Sequence, residues 1–223
     1  MTERMYDQGS TEVPVRLRID RLTLAGSLVR PAEARGLVIF AHGSGSSRFS
    51  PRNRFVAQQL NQAGFATLLF DLLSADEEAR DAITRHLRFD IPLLSHRLLQ
   101  ATEQVRALPE TSALPSGYFG ASTGAAAALI AAAERPELVA AVVSRGGRPD
   151  LAAAHLKAVR APTLLIVGGA DREVLALNQA VLPALPPQSS LAIVPGATHL
   201  FEEPGALEEV ARLAAGWFTR WLQ

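Results

Sequence analysis

Five short apolar runs, at residues 37–41, 66–70, 139–143, 163–167 and 191–194, constrain the fold of this chain most. Each has the length of a single strand, and none alternates with polar residues. Each therefore reads as a strand covered on both faces of a parallel sheet. Helical stretches lie between them. Residues 55–63 stop at Gly64, and residues 75–108 form a long amphipathic region interrupted near Pro92. Residues 124–134 are alanine-rich and stop before Pro136, while 205–222 carry Leu207, Val210, Leu213, Ala214, Trp217 and Trp221 on one face. Strands alternating with helices predict an α/β sheet with right-handed crossovers and ligands at the carboxyl ends of its strands.

Ahead of these, residues 13–20 and 22–29 alternate branched and polar side chains, and Pro31 closes off the second run. They read as an antiparallel opening hairpin with one wet face. Together with a strand at 117–119, the sheet is mostly parallel and has about eight strands flanked by helices. Residues 1–12 read as an N-terminal extension and 13–223 as one α/β domain. The link from Val143 to Pro162 is too short for a large cap domain.

Composition removes several classes of function. Lys and Arg total 22 against 22 Asp and Glu, with no basic stripe, so no nucleic-acid partner is expected. The chain has no cysteine, which excludes disulfides, thiolate metal sites and a cysteine nucleophile. Its first 13 residues are polar, with no secretory apolar core, and no apolar run is long enough for a membrane span. A cytoplasmic protein without membrane contact is the expectation.

Residues 117–119 lead into Gly120-Ala121-Ser122-Thr123-Gly124, and the alanine-rich helix follows at once. Strand, sharp turn and helix is the context in which Gly-x-Ser-x-Gly exposes a nucleophilic serine. The turn crowds the positions two before and two after Ser122, and both are glycine. Helix N–H groups and the helix dipole favour negative charge at that point. The competing reading, close helix–strand packing by small residues, leaves the serine without chemistry.

A base and an acid must reach the same edge. Of five histidines, His86, His96 and His155 fall in presumed helices. His199 follows the last strand in Pro195-Gly196-Ala197-Thr198-His199, where a general base can meet Ser122. Asp171, in Gly168-Gly169-Ala170-Asp171, follows the strand before it and completes the order Ser, Asp, His. Its alternative role is capping the next helix, and Asp150 is the second candidate for the acid. His42-Gly43-Ser44-Gly45-Ser46 follows the first run as a small-residue loop. The Ser44 and Thr123 N–H groups are assigned as oxyanion donors. A phosphate cradle at that loop would need a P-loop Lys-Ser/Thr ending or a dinucleotide fingerprint, and both are absent. His42 shapes the loop or touches substrate. Arg145 is placed to hold an anionic substrate group, whereas Arg148 and Asp150 read as a structural ion pair. Arg88-Phe89-Asp90 carries no assigned chemistry.

These motifs resemble the α/β-hydrolase superfamily, and the capless layout is similar to its dienelactone hydrolase-like branch. The resemblance runs from the first strand to the last helix. It implies hydrolysis of a small ester, lactone, thioester or amide with no metal and no cofactor. Dienelactone hydrolases proper use cysteine where this chain has Ser122, which points away from dienelactone itself. An acyltransferase, a perhydrolase or a lyase could use the same residues, and a non-catalytic binding protein could use the same scaffold.

Overall fold

The computed structural model describes residues 10–223. The larger part of the expected N-terminal extension, residues 1–9, lies outside the described residues. Residues 10–12, expected in that extension, belong to the first strand.

Strands β1 (Ser10–Ile19), β2 (Leu22–Pro31) and β3 (Leu37–Ala41) are followed by helix α1 (Pro51–Gln62), β4 (Ala66–Phe70) and helices α2 (Ala75–Thr84) and α3 (Ile91–Arg106). Then come β5 (Ser116–Ala121), α4 (Thr123–Glu134), β6 (Ala141–Arg145), β7 (Thr163–Gly168), α5 (Arg172–Val181), β8 (Ser190–Val194) and α6 (Ala206–Trp221). Among the described residues the strands form one eight-stranded sheet in the order β1-β2-β4-β3-β5-β6-β7-β8. The β1–β2 and β2–β4 pairs are antiparallel, and every pair from β4 to β8 is parallel. No described helix is long and apolar enough to cross a membrane.

Local chemistry explains where the elements begin. Helix α1 starts four residues ahead of the expected 55, because the Asn53 N–H donates to the Ser50 hydroxyl and Pro51 sits in the first turn. Pro92 opens α3 instead of interrupting a longer helix, and Asp90 accepts the Leu93 N–H as its cap. Strand β6 runs at 141–145, two residues beyond the expected 139–143, which brings Arg145 to the strand's carboxyl end. The β8 run is not covered on both faces: it is an edge strand, and Ile193 is 46 % exposed.

The parallel strands separate two apolar layers. One packs β3, β5 and β6 side chains against α3 and α4, and the other packs the alternate side chains against α1 and α6. Between β6 and β7 lie only two short 3₁₀ turns, Pro149–Ala152 and Leu156–Ala158, and no large cap.

Candidate active site

The site grows from the end of β5. Ser122 takes φ 51° and ψ −120° at the N-cap of α4, a conformation that costs a non-glycine residue on the order of 1–3 kcal/mol. Its two glycines are needed for different reasons. A Cβ on Gly120 would lie 2.4 Å from Ala125 Cα in the helix that follows, and one on Gly124 would lie 2.2 Å from the Ala41 carbonyl oxygen of β3. The elbow is also pinned to the segment after β6. The Ser122 N–H donates to the Arg145 carbonyl at 3.2 Å, and the Arg148 N–H donates to the Ser122 carbonyl at 3.1 Å.

Asp171 and His199 meet at the neighbouring strand ends. His199 Nδ1–H donates to Asp171 Oδ2 at 2.7 Å, which leaves Nε2 as the basic nitrogen. Asp171 stands at the N-cap of α5, yet its side chain caps nothing there; the carboxylate is given to the imidazole. The second acid candidate, Asp150, is taken by Arg148 through two hydrogen bonds at 2.8 and 2.7 Å, which hold its carboxyl below the usual range. His199 reaches the elbow through Gly146, where a side chain would begin 3.5 Å from the ring's Cε1 and Nδ1. Ser122 Oγ and the imidazole are not hydrogen-bonded to each other among the described residues, a separation common in resting sites.

Of the two assigned oxyanion donors, Thr123 is the first residue of α4, so its N–H has no intrahelical acceptor. The Ser44 N–H lies at the elbow but donates to Thr123 Oγ1 at 2.9 Å, so in this state it points at a protein oxygen and not at a substrate. His42, read from the sequence as shaping this loop or touching substrate, lines the cavity that opens beside the loop. It is 6 % exposed, and its Nε2 accepts the Leu72 N–H at 3.0 Å. The remaining nitrogen, Nδ1–H, then donates to the Gly43 carbonyl at 3.0 Å. Burial holds its pKa below the ordinary 6.5, so the neutral ring buttresses the loop with both nitrogens occupied. Arg145 is buried at the end of β6 and touches Asn53 and Phe201. His96 pairs with Asp20 on the surface, and His86 and His155 precede 3₁₀ turns.

Sequence reasoning missed the pocket wall. A cavity of about 230 Å³ opens beside the loop, lined by Ser44, Gly45, Leu72, Leu73, Leu94 and Arg88 among others. Arg88 is oriented by Asp81, which accepts its Nε–H with one carboxylate oxygen, while the Asp81 carbonyl accepts from Nη2 at 2.9 Å. The Arg88-Phe89-Asp90 segment stood out in the sequence, but only the return of α2 over the loop brings it to the cavity.

Comparison with known proteins agrees with this architecture. Residues 34–212 match the family described as an alpha/beta hydrolase domain. A crystal structure titled dienelactone hydrolase, from Anabaena variabilis, is 58% identical, with a TM-score of 0.95 over 97% of this chain and 100% of that one. The esterase Est1E from Butyrivibrio proteoclasticus shares the fold, with a TM-score of 0.78 at 16% identity over 93% of this chain and 98% of its own. Two Mycobacterium tuberculosis proteins, from strains CDC 1551 and H37Rv, carry the provisional name phosphoribosyl transferase. Each is 60% identical over 195 residues, which is 87% of this chain but 43% of theirs, so the chain spans less than half the length of these relatives. By its sheet order, its elbow and these matches, the chain belongs to the α/β-hydrolase family, in the compact form of the dienelactone hydrolase-like branch.

Proposed function

We propose that the chain is a serine hydrolase that cleaves a small carboxylic ester, lactone or thioester through an acyl-enzyme. The observation that carries this reading is the 2.7 Å Asp171–His199 hydrogen bond beside the strained Ser122 elbow. In this scheme His199 Nε2 takes the Ser122 proton as the hydroxyl oxygen attacks the carbonyl carbon, and Asp171 stabilises the imidazolium. The Thr123 N–H meets the oxyanion first. The Ser44 N–H joins it when the Thr123 hydroxyl gives way to the more negative oxygen, each donor being worth about 3 kcal/mol in the transition state. The imidazolium returns its proton to the leaving group. Water, activated by His199, then releases the acid.

The small cavity beside Ser44, whose lining includes Ser44 but not Ser122 or His199, suits a short acyl group or a small ring extending from the elbow. The name of the Anabaena relative makes a lactone the first ring substrate to assay. We assign the phosphoribosyl transfer in the mycobacterial name to the part of those relatives that this chain does not span, because the spanned part is the hydrolase domain.

Active-site labelling with a fluorophosphonate, peptide mapping and a short-chain nitrophenyl ester assay test the reading. The label should map to Ser122, and Ser122→Ala should lose about 10⁶-fold in turnover. Label on another residue, or full activity in the variant, would sink it. Product analysis with competing alcohols and peroxide separates hydrolysis from acyl transfer on the same residues.

A further inference from the structure

Arg145 is a buried cation without a carboxylate. The residue is 8 % exposed, and its Nε and Nη1 find no acceptor among the described residues. Its one hydrogen bond, from Nη2 to Asn53 Oδ1, is long at 3.4 Å. The charge beside it is another cation, Arg52, whose own Nε is also buried without an acceptor. Of the neighbouring loop's acids, Glu202 pairs with Arg52 at 3.2 Å, and Glu203 accepts the Thr198 N–H at 3.0 Å with Oε1 while its Oε2 is buried without a donor. A buried guanidinium with unmatched donors and a like-charged neighbour is costly, and a bound anion is one partner that would satisfy it.

Its position says which ligand. The Arg145 carbonyl accepts the Ser122 N–H, Gly146 lies against the His199 ring, and the guanidinium stands 5.9 Å from the centre of the Phe201 ring, two residues past His199. The side chain follows Ala141 and Val143 onto the α1 and α6 side, whereas Leu72, Leu73 and Leu94 of the loop cavity belong to the α3 and α4 side. The carboxyl edge of the sheet thus carries the apolar-walled loop cavity on its α3 and α4 side and the Arg145 guanidinium on its α1 and α6 side. We infer that Arg145, with Arg52 beside it, is the recognition point for an anionic group of the substrate, a carboxylate or phosphate oxygen held by guanidinium N–H groups. Arg52 is half-buried and its partner Glu202 is exposed, and a partly solvated pair of this kind contributes little, so it opens at small cost when an anion replaces Glu202.

The inference rests on the serine hydrolase reading for its substrate but not for its binding site, and the test separates them. Hydrolysis of mono-4-nitrophenyl glutarate is compared with that of 4-nitrophenyl valerate, and the butyryl ester of glycolate with ethyl butyrate. Glutarate binding is followed independently as a rise in Tm. The wild type should favour an acidic ester in at least one pair, and the acidic-to-neutral ratio of kcat/KM should fall about 100-fold in Arg145→Gln. Arg52→Gln, at the more exposed position, should lower that ratio about tenfold and keeps the test open if the buried variant does not fold. Glutarate at about 10 mM should raise the wild-type Tm by about 3 °C and leave Arg145→Gln unmoved. Ratios unchanged in both variants, or an equal Tm rise in wild type and variants, overturn the inference. If neither ester is cleaved while glutarate still stabilises the wild type alone, the anion site stands and the serine hydrolase reading falls.

Discussion

Two buried arginines flank the carboxyl edge of this sheet, and the protein treats them in opposite ways. Arg97, on α3, is 4 % exposed; Nη1 donates to the Leu72 carbonyl and Nη1 and Nη2 both donate to Glu77, at 2.7–2.8 Å. Through Glu77, which also closes a capping box with Ser74, this cluster ties the start of α2 to α3 and to the chain leaving β4. The far end of α2 is held by Asp81, which accepts from Arg88 and from the Leu87 N–H. Glu78, Asp81, Ala82 and Arg88 of the stretch 75–88 line the cavity, and side-chain hydrogen bonds hold both ends of that stretch. Arg145 has no such partners, and burial with Arg52 nearby pushes its guanidinium down to about 10. A satisfied buried charge is architecture, and an unsatisfied one at the sheet's carboxyl edge is the basis for the binding role proposed for Arg145.

The largest expected effect breaks the reactive side alone. Asp171→Asn should lower esterase turnover by roughly 10⁴-fold, through the wrong imidazole tautomer, with the urea midpoint little changed. Asp150→Asn measured alongside should leave turnover near wild type; the reverse pattern would move the acid to Asp150. On the architectural side, Glu77→Ala strands the Arg97 charge and should cost about 3–5 kcal/mol in urea unfolding. Arg145→Met removes no paired carboxylate, so its stability should stay within about 1 kcal/mol of wild type or rise. A loss as large as that of Glu77→Ala would make Arg145 a second structural clamp and erase the contrast.

His42 shows a third way to bury a base, by keeping it neutral, and gives the smallest effect. Its pKa is lowered on folding, so the unfolded chain takes up the proton first as pH falls through 6.5. Stability from this group is complete above that value and declines below it, by at most about 1.4 kcal/mol per pH unit. His42→Gln should flatten the corresponding part of the stability profile between about pH 7 and pH 5, measured by denaturant titration at each pH. An unchanged profile would mean that another group sets it.

Much of the sheet was legible because buried parallel strands cannot alternate. The runs at 37–41 and 66–70 are strands with those bounds. The reading slipped where caps or edges outweigh apolarity: at Ser50 and Asp90, whose side chains start helices, and at β8, which is apolar yet lies on the sheet edge. At the candidate site, the placement of Ser122, Asp171 and His199 at one sheet edge could be read because each follows a strand, and parallel strands deliver their carboxyl ends to one edge. The occupied Ser44 N–H, the occupied nitrogens of His42 and the arrival of Arg88 at the cavity had no sequence signal, since each depends on a partner far along the chain.

By itself the sequence determined the order of strands and helices, the elbow with its two glycines, and an acid and a base in the right succession. These follow from local rules of burial, turn geometry and chain order. Only the tertiary structure decided which aspartate meets the imidazole, which arginine is paired and which is left with open donors. Asp171 and Asp150 both follow strands, and Arg97 and Arg145 are the same residue type. Hydrogen bonding acts over about 3 Å, so their roles were set by which groups the fold brought within that distance.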